Sequence, residues 1–233
     1  MPDRIIKQKK MHKDEKMIII GIDEAGRGPV IGPMVIAGFG LDESKIGKLK
    51  QLGVKDSKLL SPKKREQISE KLFELSNRIL IKKLSPEEID QNVLSKKSNL
   101  NLLEMRTTAA IIDALKPDRV IVDCPTVNEK KYRNMLKATT NHKCEIIAEN
   151  KADFNYEIVG AASIIAKVAR DREIEDIKKS LGKETGSGYP SDPKTKKFLK
   201  ENYIKHKDIF RKSWSTYQRL VDSEKQESLK TYK

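Results

Sequence analysis

Met17-Ile-Ile-Ile-Gly-Ile22 runs directly into Asp23-Glu24-Ala-Gly26-Arg27-Gly28-Pro29, and the stretch from Val30 to Phe39 returns to aliphatic character. A short β-branched run bounded by glycine and proline reads as a strand buried on both faces, so this segment predicts two central strands joined by a tight connection. Downstream, Ser61-Pro62 supplies an N-cap with proline in the first helical turn, and Ile68, Leu72 and Leu75 then share a face. Arg78–Leu84 reads as a strand, and Ser85 with Glu88 stands in capping-box spacing at the start of another helix. A helix is predicted from Leu100 to Leu115, stopping before Pro117, then strands over Arg119–Cys124 and Cys144–Glu149 and a long helix over Glu157–Ser180. Strands alternating with helices indicate an α/β domain.

The chain has 233 residues, enough for one sizeable domain with short appendages. Residues 1–16 carry charge without apolar periodicity and read as a basic flexible arm. The α/β unit is placed at 17–180. After Gly182 the texture changes: Gly186-Ser-Gly-Tyr189-Pro-Ser-Asp-Pro forms turns, and a basic helix is predicted from Lys194 to Lys212, giving a small helical C-terminal subdomain over 181–222 and a tail over 223–233.

Lys and Arg number 48 against 34 Asp and Glu, a net charge of +14. Clustered cations displace the counterions condensed on a phosphate backbone, so nucleic acid is the first partner to consider. No run approaches the roughly 18 apolar residues that cross a bilayer, and the charged N-terminus has no apolar signal core behind it; a cytoplasmic protein without a membrane partner is expected. Cys124 and Cys144 supply no disulfide framework, and with His12, His142 and His206 scattered along the chain a Cys/His metal site is not expected.

Asp23 and Glu24 end an apolar strand, Asp123 ends another, and Asp153 follows a third just before a helix. Strand C-terminal edges are where open α/β sheets build sites, and acids gathered at one rim either shift their pKa values or recruit a cation. Oxygen donors alone favour Mg²⁺ or Mn²⁺ over zinc. Gly26-Arg27-Gly28 beside them lets backbone approach a ligand closely. Consecutive strand residues face opposite sides, so Asp23 and Glu24 are expected to share a site only if the strand bends there.

Asp23-Glu24-Ala-Gly-Arg-Gly-Pro29, Asp56-Ser57-Lys58, Val122-Asp123, Lys151-Ala-Asp153, Ala161-Ala-Ser-Ile-Ile-Ala-Lys167 with Arg170-Asp171, and Gly186-Ser-Gly-Tyr189-Pro together resemble archaeal-type ribonuclease HII, over about Met17 to Leu220. The resemblance implies a ribonuclease H-like mixed sheet flanked by helices. It also implies a replication and repair endoribonuclease that hydrolyses RNA in RNA–DNA hybrids and cleaves on the 5′ side of ribonucleotides embedded in duplex DNA. By similarity Asp23, Glu24, Asp123 and Asp153 hold two divalent ions, Mg²⁺ or Mn²⁺, during catalysis, with 3′-hydroxyl and 5′-phosphate products. Gly26, Arg27, Gly28 and Tyr189 would read the ribose 2′-hydroxyl, and Lys58, Lys151 and Lys167 would lie at the phosphates or the site edge. The alternatives are a catalytically silent basic nucleic-acid-binding protein and a two-metal nuclease of other preference. Gln226, Leu229 and Tyr232 resemble the sliding-clamp-interacting box at the ends of many archaeal and eukaryotic replication and repair proteins, with Lys233 in place of the second aromatic. A monomer is expected.

Overall fold

Five strands, β1 (Ile18–Ala25), β2 (Met34–Asp42), β3 (Arg78–Leu84), β4 (Arg119–Asp123) and β5 (Glu145–Glu149), form one sheet in the order β3-β2-β1-β4-β5. The computed structural model describes residues 16–55 and 60–231, with side chains as far as Gln226. β1 pairs antiparallel with β2 and parallel with β4; β2–β3 is antiparallel and β4–β5 parallel, which is the mixed sheet expected. The helices are α1 (Gly47–Leu52), α2 (Pro62–Leu75), α3 (Pro86–Val93), α4 (Leu100–Leu115), α5 (Glu129–Thr139), α6 (Ala152–Asn155), α7 (Glu157–Leu181), α8 (Pro193–Asn202) and α9 (Ser215–Thr231). Among them none is long and apolar enough to cross a membrane. The Ser61 and Ser85 side chains cap α2 and α3 by accepting from the N–H groups of Lys64 and Glu88.

Period-2 alternation along β1 sorts its side chains between two cores. Ile20 and Ile22 pack with Ile111 and Ile112 of α4, whereas Ile19 and Ala25 join the cluster built on α7. The apolar run from Ile158 to Val168 is core, as its composition suggests. Between Ile19 and Asp23 lies Gly21, where a Cβ would sit 2.2 Å from the Ile158 carbonyl oxygen. Close approach of α7 to the sheet therefore needs a glycine at this place.

The second strand starts later than its aliphatic character suggests. Gly32 adopts φ +78° and Pro33 has no N–H to give a ladder, so β2 begins at Met34. Val30 and Ile31 are buried instead against the C-terminal subdomain: Val30 N–H donates to the Gly188 carbonyl (2.8 Å), and Ile31 bridges Phe210. With Ile174, Phe198, Leu199 and Tyr217 they make a third core. The single basic helix expected over Lys194–Lys212 is also interrupted. α8 ends at Asn202 and the chain turns through 203–213, because Phe210 must return to Ile31. α9 then runs to Thr231 across the boundary expected at 222/223. The expected arm over 1–16 lies, apart from Lys16, outside the described residues.

Candidate active site

Parallel register pairs Ile22 with Val122, which brings the next residues, Asp23 and Asp123, side by side at the C-terminal ends of the two strands. By strand alternation both point to the α7 side. Glu24 points to the α4 side, and the ladder to β2 stays in register through Ala25, so the strand does not bend at the two acids. They meet nonetheless, because they sit at the sheet rim: Asp23, Glu24 and Asp123 all line one cavity of about 360 Å³. The condition of a bend is thus replaced by position at an edge.

Asp23 is 5% exposed. Its Oδ1 accepts the Glu24 N–H at 2.7 Å, and Ser163 of α7 gives it a side-chain hydrogen bond. Burial first, then the charges of Asp123 and Asp153, push its carboxyl up to about 7 against those two hydrogen bonds. Glu24 is raised by burial and then by Asp23, Glu104 and Asp123, with Arg27 opposing. Asp123 Oδ1 accepts the Ala152 N–H at 2.9 Å, which ties the end of β4 to the start of α6. Asp153, 4% exposed on α6, adds to the negative potential at Asp23 but is not on the cavity wall.

Of the predicted substrate residues, Gly26, Arg27, Gly28, Lys167 and Tyr189 line the same cavity. Lys151 does not; it is exposed in a left-handed conformation (φ 59°) at the N-terminus of α6. Lys58 lies outside the described residues. Gly26 takes φ +81°, and a Cβ there would meet the Arg170 side chain at 2.7 Å, so the loop requires glycine on both counts. The Arg27 guanidinium is held by α4, where Nη1 pairs with Glu104 and Nη2 donates to Asn101 Oδ1 at 2.6 Å, and from there it still lowers the Glu24 carboxyl. Tyr189 is 41% exposed rather than packed beside Pro190, with the Arg170 guanidinium 5.3 Å from its ring centroid.

Sequence reasoning passed over Glu104 and Trp214, quoted Arg170 only inside a motif, and missed Arg211 altogether. Arg211 is fully buried beneath the Gly26–Gly32 loop, and burial and then the neighbouring Arg170 pull its guanidinium down to about 9. An arginine in a lysine-rich stretch carries no local mark of burial. The one legible hint is its setting between Phe210 and Trp214.

A family model described as ribonuclease HII matches residues 20–217. The chain belongs to the ribonuclease HII family. It is 48% identical over 207 residues to ribonuclease HII of Thermococcus sibiricus, covering 87% of this chain and 90% of that one. Among solved structures, ribonuclease H2 from Pyrococcus horikoshii OT3 superposes with a TM-score of 0.82 at 43% identity, covering 89% of this chain and 98% of that one. Ribonuclease HII of Archaeoglobus fulgidus, solved in complex with PCNA, gives 0.77 at 41% identity over 87% and 96% of the two chains. As a ribonuclease HII this protein is an endoribonuclease of RNA–DNA hybrids and of ribonucleotides within DNA. Its fold is the ribonuclease H-like one that the sequence predicts, with its helical C-terminal subdomain.

The donor chemistry fits divalent ions. Three crowded carboxylates line one wall, all of them hard oxygen donors, and the Arg27 guanidinium pairs with Glu104 rather than with any of the three. Among the described residues no three acids, histidines or cysteines are already drawn into a metal cage. Cation binding would therefore draw these side chains together.

Proposed function

We propose that this ribonuclease HII holds Mg²⁺ or Mn²⁺ on Asp23, Glu24, Asp123 and Asp153 and cuts on the 5′ side of a ribonucleotide. The observation behind this is the meeting of Asp23, Glu24 and Asp123 on one cavity wall with the Gly26–Gly28 loop and Tyr189. When bound, a pair of such ions activates a water and stabilises the departing 3′ oxygen, leaving 3′-hydroxyl and 5′-phosphate ends. The chain's own part is placement. The sheet edge sets Asp23 and Asp123 side by side, the Ala152 N–H orients Asp123, and Lys167, Arg65 and Arg170 on the same wall meet substrate phosphate. No nucleophilic Ser or Cys is needed. Lys58 and Lys151 retain their proposed place at the phosphates on the resemblance alone. Cleavage of one duplex with and without a single ribonucleotide, in Mg²⁺ and in chelator, tests this reading: it requires cutting only with the ribonucleotide and only with the ion.

The 2′-hydroxyl is the group that separates RNA from DNA, and the exposure of Tyr189 across from Gly28 supports a role for it in sensing that group. Tyr189→Ala should lower cleavage at a single ribonucleotide about tenfold while plain-duplex affinity, set by phosphate contacts, changes less than about twofold. Equal cleavage by the variant and the parent would remove Tyr189 from this role.

The C-terminus is proposed as a sliding-clamp ligand, supported by the related Archaeoglobus fulgidus enzyme's complex with PCNA. Gln226 is exposed on the last turns of α9; Tyr232 and the side chain of Leu229 lie outside the description. Leu220 and Val221 pack on the third core, so truncation after Ser223 preserves that packing. The truncated chain should lose binding of about micromolar Kd to the organism's clamp while cleaving short free duplexes at the parent rate. Equal titration curves for both chains would leave the tail without this role. The chain is proposed to act as a monomer, with residues 17–180 carrying the chemistry and 181–222 supporting the substrate loop.

A further inference from the structure

Arg211 donates to three backbone carbonyls of one loop. Nη2 reaches the Gly26 oxygen at 2.6 Å, Nη1 the Arg27 oxygen at 3.0 Å and Nε the Gly32 oxygen at 3.0 Å. Trp214 Nε1 takes the Gly28 oxygen at 3.0 Å, and its ring lies 4.9 Å from the Arg211 guanidinium. The turn carrying both is fixed from the far side: the Asp90 carboxylate on α3 accepts from the N–H groups of Lys212 and Ser213, and Arg211 N–H donates to the Val30 carbonyl. Among the described residues no carboxylate forms an ion pair with Arg211. A buried cation without a direct ion pair is costly; here the loop's carbonyl dipoles and one aromatic face compensate it at contact, with Asp90 and Glu104 adding attraction from further off.

A trans peptide holds its C=O and the following N–H antiparallel, and the chain has no cis peptide among the described residues. Pinning the Gly26 and Arg27 carbonyls on Arg211 therefore turns the N–H groups of Arg27 and Gly28 to the opposite side, where the loop lines the active-site cavity with Tyr189. Neither N–H donates to another group among the described residues. A cationic donor on a carbonyl also polarises the peptide and strengthens its N–H as a donor.

We infer that Arg211, assisted by Trp214, is a positioning residue for substrate choice: it orients the Arg27 and Gly28 amides toward the ribose 2′-hydroxyl. This rests on the reading above that the loop senses that hydroxyl. Lysine keeps the charge but lacks the planar fork that spans several carbonyls, so Arg211→Lys separates orientation from net charge.

The test measures Kd in the full chain carrying Asp123→Asn, which silences cleavage, for one duplex with and without a single ribonucleotide. With two hydrogen bonds at stake, this background should prefer the ribonucleotide about tenfold or more. Adding Arg211→Lys should bring the preference under about threefold with plain-duplex affinity within about twofold, and Trp214→Phe should give an intermediate loss. Phe210→Leu, a core change beside the clamp, should lower the Tm yet keep the preference; that contrast separates positioning from general destabilisation. If Arg211→Lys does not fold, Trp214→Phe decides alone. Retained preference in a folded Arg211→Lys chain, or loss in Phe210→Leu equal to that in Arg211→Lys, overturns the inference. Should the Asp123→Asn background itself show no preference, the ribose reading fails and this one with it. Loss in Tyr189→Ala but not in Arg211→Lys overturns the positioning role only.

Discussion

Asp23→Asn or Asp123→Asn should reduce cleavage of a single-ribonucleotide duplex by at least about a thousandfold, while duplex affinity stays equal to the parent's or tightens. Asp23 and Asp123 lie next to one another on paired strands and face the same side, so either substitution removes an anionic oxygen from the centre of the proposed ion site. It also removes a charge that repels phosphate, hence the opposite sign expected for binding. Single-turnover cleavage with a parallel binding titration checks both halves. Near-parental cleavage by both variants would sink the ion-site assignment.

The same acids should make the metal-free protein pH-sensitive. The Asp23 carboxyl is held at about 7 when folded, against an ordinary value of 3.8. Between those values the folded chain retains a proton that the unfolded chain has lost, so stability falls as pH rises from about 4 to about 7 and then levels. In chelator at pH 7.5, Asp23→Asn should therefore raise the Tm over the parent's, by about 5 °C or more, with the gap closing toward pH 4. A substitution that destroys activity while stabilising the apo-protein is what burial of a carboxylate, compounded by the neighbouring acids, requires. A melting series across that window checks it, and a parent Tm that climbs with pH would contradict it.

Gly21→Ala should destabilise the fold by about 3 kcal/mol or more, lowering the Tm by roughly 6–12 °C. The added Cβ would lie 2.2 Å from the Ile158 carbonyl oxygen, 2.4 Å from its carbon and 2.6 Å from Val159 N, all of them backbone atoms that no rotamer change can move. Relief requires lifting the start of α7 from the sheet, and α7 carries Ser163, which bonds Asp23. Activity should therefore fall along with stability. Gly47→Ala is the matched control: nothing lies within 4 Å of its Cβ at the start of α1, so the change should be neutral or slightly stabilising. Thermal melts of both variants decide the point, and a Gly21→Ala Tm within about 2 °C of the parent would show that the helix yields freely.

Much was legible in the residues themselves. Arg78–Leu84 and Leu100–Leu115 are a strand and a helix at the predicted bounds, and the long helix extends one residue beyond Ser180. In these segments apolar period, caps and the positions of proline and glycine agree, so local forces suffice. Asp23, Glu24 and Asp123 were visible as acids ending apolar strands, and Gly26-Arg27-Gly28 as a run too permissive for an ordinary turn. The helices α1, α5, α6 and α9 are not legible in the residues: α5 places only Tyr132 and Leu136 in the core amid charge, too little periodicity to detect.

The five strands, the principal helices of the α/β unit, the acidic rim and the family can all be read from the residues alone, because side-chain period and motif spacing are properties of neighbours along the chain. Which charges are buried follows from how distant segments pack together. Glu24 meets Glu104 through the packing of α4 on the sheet, Val30 and Ile31 leave the strand to pair with the C-terminal subdomain, and Arg211 reaches Gly26 and Gly32 across 185 and 179 residues. Burial of an ionised side chain depends on what closes over it and which dipoles then replace its water, and those groups come from chain segments whose distance in sequence leaves no local pattern to read.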